Sequence, residues 1–127
     1  MKPAAVLCLL AVPALADEML TVPSGQAVTF LDAILNESGP EGQTARFRFV
    51  APAIATEQVD FDSFVADMQY LCDTYALPRV TGTGIAPQQI VISLSSEPVA
   101  FGEPVPEVTQ FFEAFSLAEG SCIWEVF

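Results

Sequence analysis

The sequence predicts an α+β domain: an antiparallel sheet of four or five strands, one amphipathic helix packed on one face, and a C-terminal β-hairpin. Three observations carry this. Residues 60–77 repeat apolar side chains at helical spacing, with Phe61, Phe64, Val65, Met68, Leu71, Cys72 and Tyr75 on one stripe. Residues 43–50 and 90–95 alternate apolar and polar side chains at strand spacing. A short Gly-containing turn, Ala118-Glu119-Gly120, separates two further strand-like runs.

Residues 1–16 are set apart from this domain. Lys2 supplies one positive charge, and Ala4–Val12 is an unbroken apolar run. Ala14-x-Ala16 then has the small-residue spacing of a signal-peptidase site. The expectation is a signal peptide over 1–16 and a single exported α+β domain over 17–127, periplasmic or secreted. The apolar run falls well short of the ~20 residues of a membrane span, so no stable membrane insertion is expected after cleavage. Cys8 lies inside that run behind Leu7, where a lipoprotein site takes a small residue. Cleavage leaves two cysteines, Cys72 and Cys122. In an oxidising compartment a disulfide between them is the default, and it closes a loop of about 50 residues. Redox-active pairs sit close together in sequence; these do not.

Taken in order, residues 17–22 read as a lead-in and Pro23-Ser24-Gly25 as a turn. Residues 26–35 read as a strand, and Asn36–Gly42 as a loop by its Asn, Gly and Pro content. In residues 43–50, Ala45, Phe47 and Phe49 take the core face, and Thr44, Arg46 and Arg48 the other. Asp60 is placed to cap the helix, and Leu77-Pro78 to end it. Arg79–Gln89 reads as a loop. Its Thr81-Gly82-Thr83-Gly84 lacks the lysine of a phosphate-binding loop. Ile90–Ser95 is a second clear strand, and residues 97–108, with Pro98, Gly102, Pro104 and Pro106, an irregular connection. Residues 109–117 and 121–127 form the hairpin, with Cys122 facing the helix and Cys72. Phe111 and Phe112 then point to opposite sides, so one lies outside the helix-covered core.

Composition excludes several chemistries. The chain has 16 acidic and 4 basic residues, no histidine and a net charge of −12. Without residues 1–16 no lysine is left. Triads and dyads that need histidine or lysine, and His-ligated metal sites, are out of reach. Nucleic acid needs a basic patch that the chain lacks. No catalytic residue, metal-ligand set or cofactor is expected. A protein partner or a homodimer through the open sheet face is. Contact residues for a partner are Tyr70, on the polar side of the helix, with Phe101 and Phe112. Arg46 and Arg48 can grip an anion, or pair with acids on neighbouring strands. A carboxylate enzyme is the alternative, using Asp60 with Asp62, Asp67 with Asp73, or Glu113 with Glu125. A divalent-cation site at Asp60 and Asp62 is another, although Asp60-Phe61-Asp62-Ser63 lacks the further acids and the glycine of a calcium loop.

The segments RFRFVAP (46–52), VISLS (91–95), TQFFEAF (109–115) and CIWEVF (122–127) carry a resemblance. The chain resembles small exported alphaproteobacterial proteins grouped as a domain of unknown function. That resemblance implies no activity. An acetolactate synthase assignment does not fit, because a thiamine-diphosphate synthase needs a far longer chain and a cofactor site.

Overall fold

The computed structural model describes residues 19–39, 42–56, 60–84 and 86–126. The leader expected over 1–16, with Cys8, lies outside the described residues, as does Phe127. Among the described residues six strands form one sheet in chain order: β1 Met19–Leu20, β2 Val28–Gly39, β3 Gly42–Val50, β4 Gln89–Ser95, β5 Gln110–Ala118 and β6 Ser121–Trp124. A 3-10 turn, Pro52–Ala55, follows β3. Helix α1, Phe61–Leu71, then runs through a π-helical turn, Cys72–Ala76, into α2, Leu77–Thr83.

The helix, the α+β class and the C-terminal hairpin match the sequence reading; the sheet departs from it twice. It has six strands rather than four or five, because the lead-in contains β1, which pairs with Val28 and Thr29. It is also mixed rather than antiparallel, since β3 and β4 run parallel and every other neighbouring pair antiparallel. The cause is the helical crossover, which returns the chain to the end of the sheet where β3 began. The loop expected over 36–42 is shorter than read, because β2 reaches Gly39 and pairs it with Gly42.

The core lies between the helix and one sheet face. Ala45, Phe47 and Phe49 of β3, Ile90, Ile92 and Leu94 of β4, and Phe115 of β5 are all buried there. Phe64, Met68, Leu71, Cys72, Tyr75, Ala76 and Val80 close over them. Tyr75 packs among three phenylalanines, with ring centroids 5.1 Å from Phe30, 6.4 Å from Phe47 and 5.4 Å from Phe49. Phe111 packs on Phe64 at 4.8 Å, so Phe112, 65% exposed, is the one left outside the core. Phe61 is also exposed, contrary to the apolar stripe, and is the first residue of the helix.

Pro78 does not stop the helix. The chain is helical to Thr83 and ends at Gly84, which has φ 79°. A proline ring collides with the carbonyl one turn before it and offers no N–H to the ladder. Here the preceding turn is π-helical, with the Leu77 amide reaching back to the Cys72 carbonyl. The wider turn moves the ladder away from the ring. Arg79 helps hold the region by donating to the Tyr75 carbonyl at 3.0 Å. The loop read over 79–89 therefore shrinks to the residues after Thr83.

Asp60 caps α1 by accepting from the Ser63 amide at 2.8 Å. The Ser63 amide first, and its hydroxyl second, hold the Asp60 carboxyl below its ordinary value of 3.8. A depressed folded-state value means the cap stabilises above 3.8 and is lost as pH falls through the lowered value. Asp60→Asn should therefore differ most from the parent at neutral pH. The gap in melting temperature should close below pH 3.8, as a pH series of thermal melts will show.

β5 and β6 join through Glu119 and Gly120, with φ of 55° and 79°. Two positive φ values make the tight turn whose twist suits a hairpin. Gly120→Ala should cost about 1 kcal/mol, because a Cβ is disfavoured in the left-handed region. Urea denaturation will measure it.

The disulfide joins the helix to β6 as read. Cys72 and Cys122 are bonded with Cα atoms 6.2 Å apart. Two helix side chains reinforce the junction. Gln69 donates to the Cys122 carbonyl at 2.8 Å, and the Cys122 amide donates to Asp73 at 3.1 Å. Gln69 also donates to Asp73 at 3.0 Å. The backbone amide and carbonyl of Cys122 in the last strand are thus taken up by these side chains.

Candidate functional site

Strand alternation puts Arg46 and Arg48 on the sheet face away from the helix. The register places Val91 and Ser93 of β4 beside them on β3, and Ala114 and Phe112 of β5 beyond those. Both arginines are paired with β2 acids. Arg46 Nε donates to Glu37 at 2.9 Å. Arg48 Nη1 donates to both carboxylate oxygens of Asp32, at 3.1 and 2.8 Å.

The connection between β4 and β5 closes over this face. Its ends are pinned together: the Ser96 amide donates to the Thr109 carbonyl at 2.9 Å, and the Thr109 amide to Ser96 Oγ at 3.2 Å. The segment between has to double back. Arg48 Nη2 donates to the Val99 carbonyl and anchors it. The Phe101 ring then lies against both guanidinium groups, its centroid 5.5 Å from Arg46 Cζ and 5.6 Å from Arg48 Cζ.

The result is a cleft of about 230 Å³ lined by Arg46, Arg48, Ser93, Phe101, Gln110 and Phe112, with Glu103 also at its wall. Phe101 is 50% exposed and Phe112 65%. Four of the residues singled out from sequence meet here: Arg46, Arg48, Phe101 and Phe112. Ser93, Gln110 and Glu103 were missed. Ser93 and Gln110 lie on the open face of strands that the pattern marks, yet a lone polar residue there has no signature until the register is known.

A family profile described as "Family of unknown function (DUF6497)" matches residues 6–127. The chain belongs to the DUF6497 family. The match accords with the resemblance to a domain of unknown function, and it assigns no activity. No curated protein and no solved structure matches the chain.

In this DUF6497 chain Tyr70 stands apart from the cleft. It lines a groove of about 350 Å³ on the helix side, with Met19, Leu20, Thr74, Tyr75 and Arg79. The Arg79 guanidinium lies 3.4 Å from the centre of the Tyr75 ring. The contact residues named from sequence therefore fall on two separate surfaces.

Most acids of the carboxylate pairs are hydrogen-bonded to other groups. Asp67 is fully buried and accepts from the Ser24 amide, Ser24 Oγ and Gln26 Nε2 at 2.9, 2.6 and 2.8 Å. Asp73 holds β6. Glu113 accepts from Trp124 Nε1 at 2.8 Å, and Glu125 from Gln89 Nε2 at 2.9 Å. Asp60 caps its helix. Among the described residues, no group of three or more His, Cys, Asp or Glu side chains is placed to hold a metal ion. Among them, too, no helix is long and apolar enough to cross a membrane.

Proposed function

We propose that the protein is an exported, non-catalytic binding module that takes a protein partner in the cleft on the open face of its sheet. The observation that carries this reading is the convergence of two exposed phenylalanines and two arginines under a pinned connection. Aromatic residues and arginine are the side chains that anchor protein interfaces. Several acids that a carboxylate enzyme would draw on are committed elsewhere, to β6, Trp124, Gln89 and the Ser24 turn. The leader read over 1–16 and the disulfide support export to an oxidising compartment, where the chain would serve an envelope or secreted assembly.

A photo-crosslinking amino acid placed at Phe112 in the source cell tests the reading. The expected result is a discrete adduct from position 112 and none from Phe61, which is exposed on the helix side. Equal labelling from both positions, or none from 112, overturns it. The mass of the recovered chain checks export: it should match residues 17–127 less two hydrogens.

A further inference from the structure

We infer that the cleft receives the C-terminal carboxylate of a partner polypeptide ending in an apolar residue. This rests on the open-face cleft being the binding site. The two arginines differ in what they have left to give. Arg48 is committed to Asp32 and the Val99 carbonyl, and its side chain is 8% exposed. It is a fixed wall. Arg46 spends only Nε, on Glu37. Among the described residues neither of its terminal amino groups has a hydrogen-bond partner, and the same is true of Ser93 Oγ and the Gln110 side-chain amide. These donors line one small cleft. A guanidinium with its terminal pair unspent is shaped for two parallel bonds to a carboxylate.

The aromatic neighbours narrow the ligand further. Phe101 lies 5.5 Å from the Arg46 guanidinium, so the apolar and charged contacts are adjacent. The ligand must carry its carboxylate and its apolar group within a few bonds. A C-terminal residue does so on a single Cα. An internal Asp or Glu does not, because in an extended segment the next side chain points to the opposite face. Glu103 at the wall repels any anion, and a doubly charged phosphate more than a singly charged carboxylate. The net charge of −12 repels an acidic partner at long range, so the rest of the partner is neutral or basic.

Titration calorimetry on the full disulfide-bonded chain tests this with three probes. They are a short N-acetylated peptide ending in leucine as the free acid, the same peptide as its C-terminal amide, and N-acetyl-leucine alone. The free acid should bind about tenfold tighter than the amide, as expected of a charge-assisted hydrogen-bonded pair. Arg46→Gln should abolish that difference. Glu37→Gln, which frees Nε, should keep it or enlarge it. Acid and amide binding alike, with both weakened by Phe112→Ala, overturns the carboxylate assignment and leaves the binding cleft standing. Binding of neither peptide overturns the inference, while the crosslink at position 112 still judges the cleft separately. N-acetyl-leucine binding as tightly as the peptide acid overturns the polypeptide source in favour of a small apolar acid.

Discussion

Replacing Cys72 and Cys122 together by alanine should lower stability by about 4 kcal/mol, the entropy of releasing a closed loop of this length in the unfolded chain. The two residues are separated by 50 positions. Against the ~5–15 kcal/mol that holds a typical domain, that is a large fraction. Alanine is the better choice than serine, because both sites are buried, at 0% and 4% exposure, and a hydroxyl would add a desolvation cost of its own. Urea denaturation of parent and variant will give the difference. A rise in m-value should accompany it, since the uncrosslinked unfolded chain exposes more surface. A loss below about 1 kcal/mol would mean that the Gln69 and Asp73 contacts hold the helix to β6 without the bond.

The second large effect is expected at Asp67. Asp67→Ala should cost about 2–3 kcal/mol, near 10–15 °C in melting temperature for a domain of this size. Three donors lose their acceptor, but they are not equal. Ser24 is exposed, and water can replace the carboxylate there. Gln26 is 9% exposed, and among the described residues its Oε1 already has no hydrogen-bond partner. With Asp67 gone, its Nε2 is stranded as well, and that desolvation decides the sign. The double variant with Gln26→Leu should therefore be less destabilised than the sum of the two single changes, because it removes the stranded group along with the acceptor. Simple additivity in a double-mutant cycle would show that Gln26 rehydrates and that the cost lies elsewhere.

Legibility from sequence followed period and range. The helix over 60–77 was readable because its buried stripe repeats locally. Residues 43–50 and 90–95 were readable because each alternates on its own. The parallel pairing of β3 with β4 is not visible in either strand alone, although strand, helix and strand in succession is the pattern that produces it. Alternating faces are also what an antiparallel sheet with one open face presents. The Arg48–Asp32 pairing shows how partners are hidden. β2 has register shifts between Phe30 and Asp32 and again between Ile34 and Glu37. Each bulge changes which side chains share a face, so counting by twos along β2 gives the wrong neighbours. Pro78 misleads for a related reason, since a proline rule knows nothing of the π-helical turn that precedes it. The cleft was half legible. Its arginines and phenylalanines stand out by type, but their meeting depends on a connection that doubles back across the sheet, and no local pattern encodes that return.

The clasp on Cys122 bears on how this chain behaves in a crowd. A sheet whose last strand shows free amides and carbonyls invites a second molecule to add a strand, and then a third. Here Gln69 and Asp73 occupy those groups at the middle of β6. Fibre growth from that end would first have to prise a helix away. The protection exists only once the helix has docked, so the hazardous interval is the reduced, newly made chain. Slow oxidation at high concentration should yield strand-linked aggregates that vanish when the disulfide forms first.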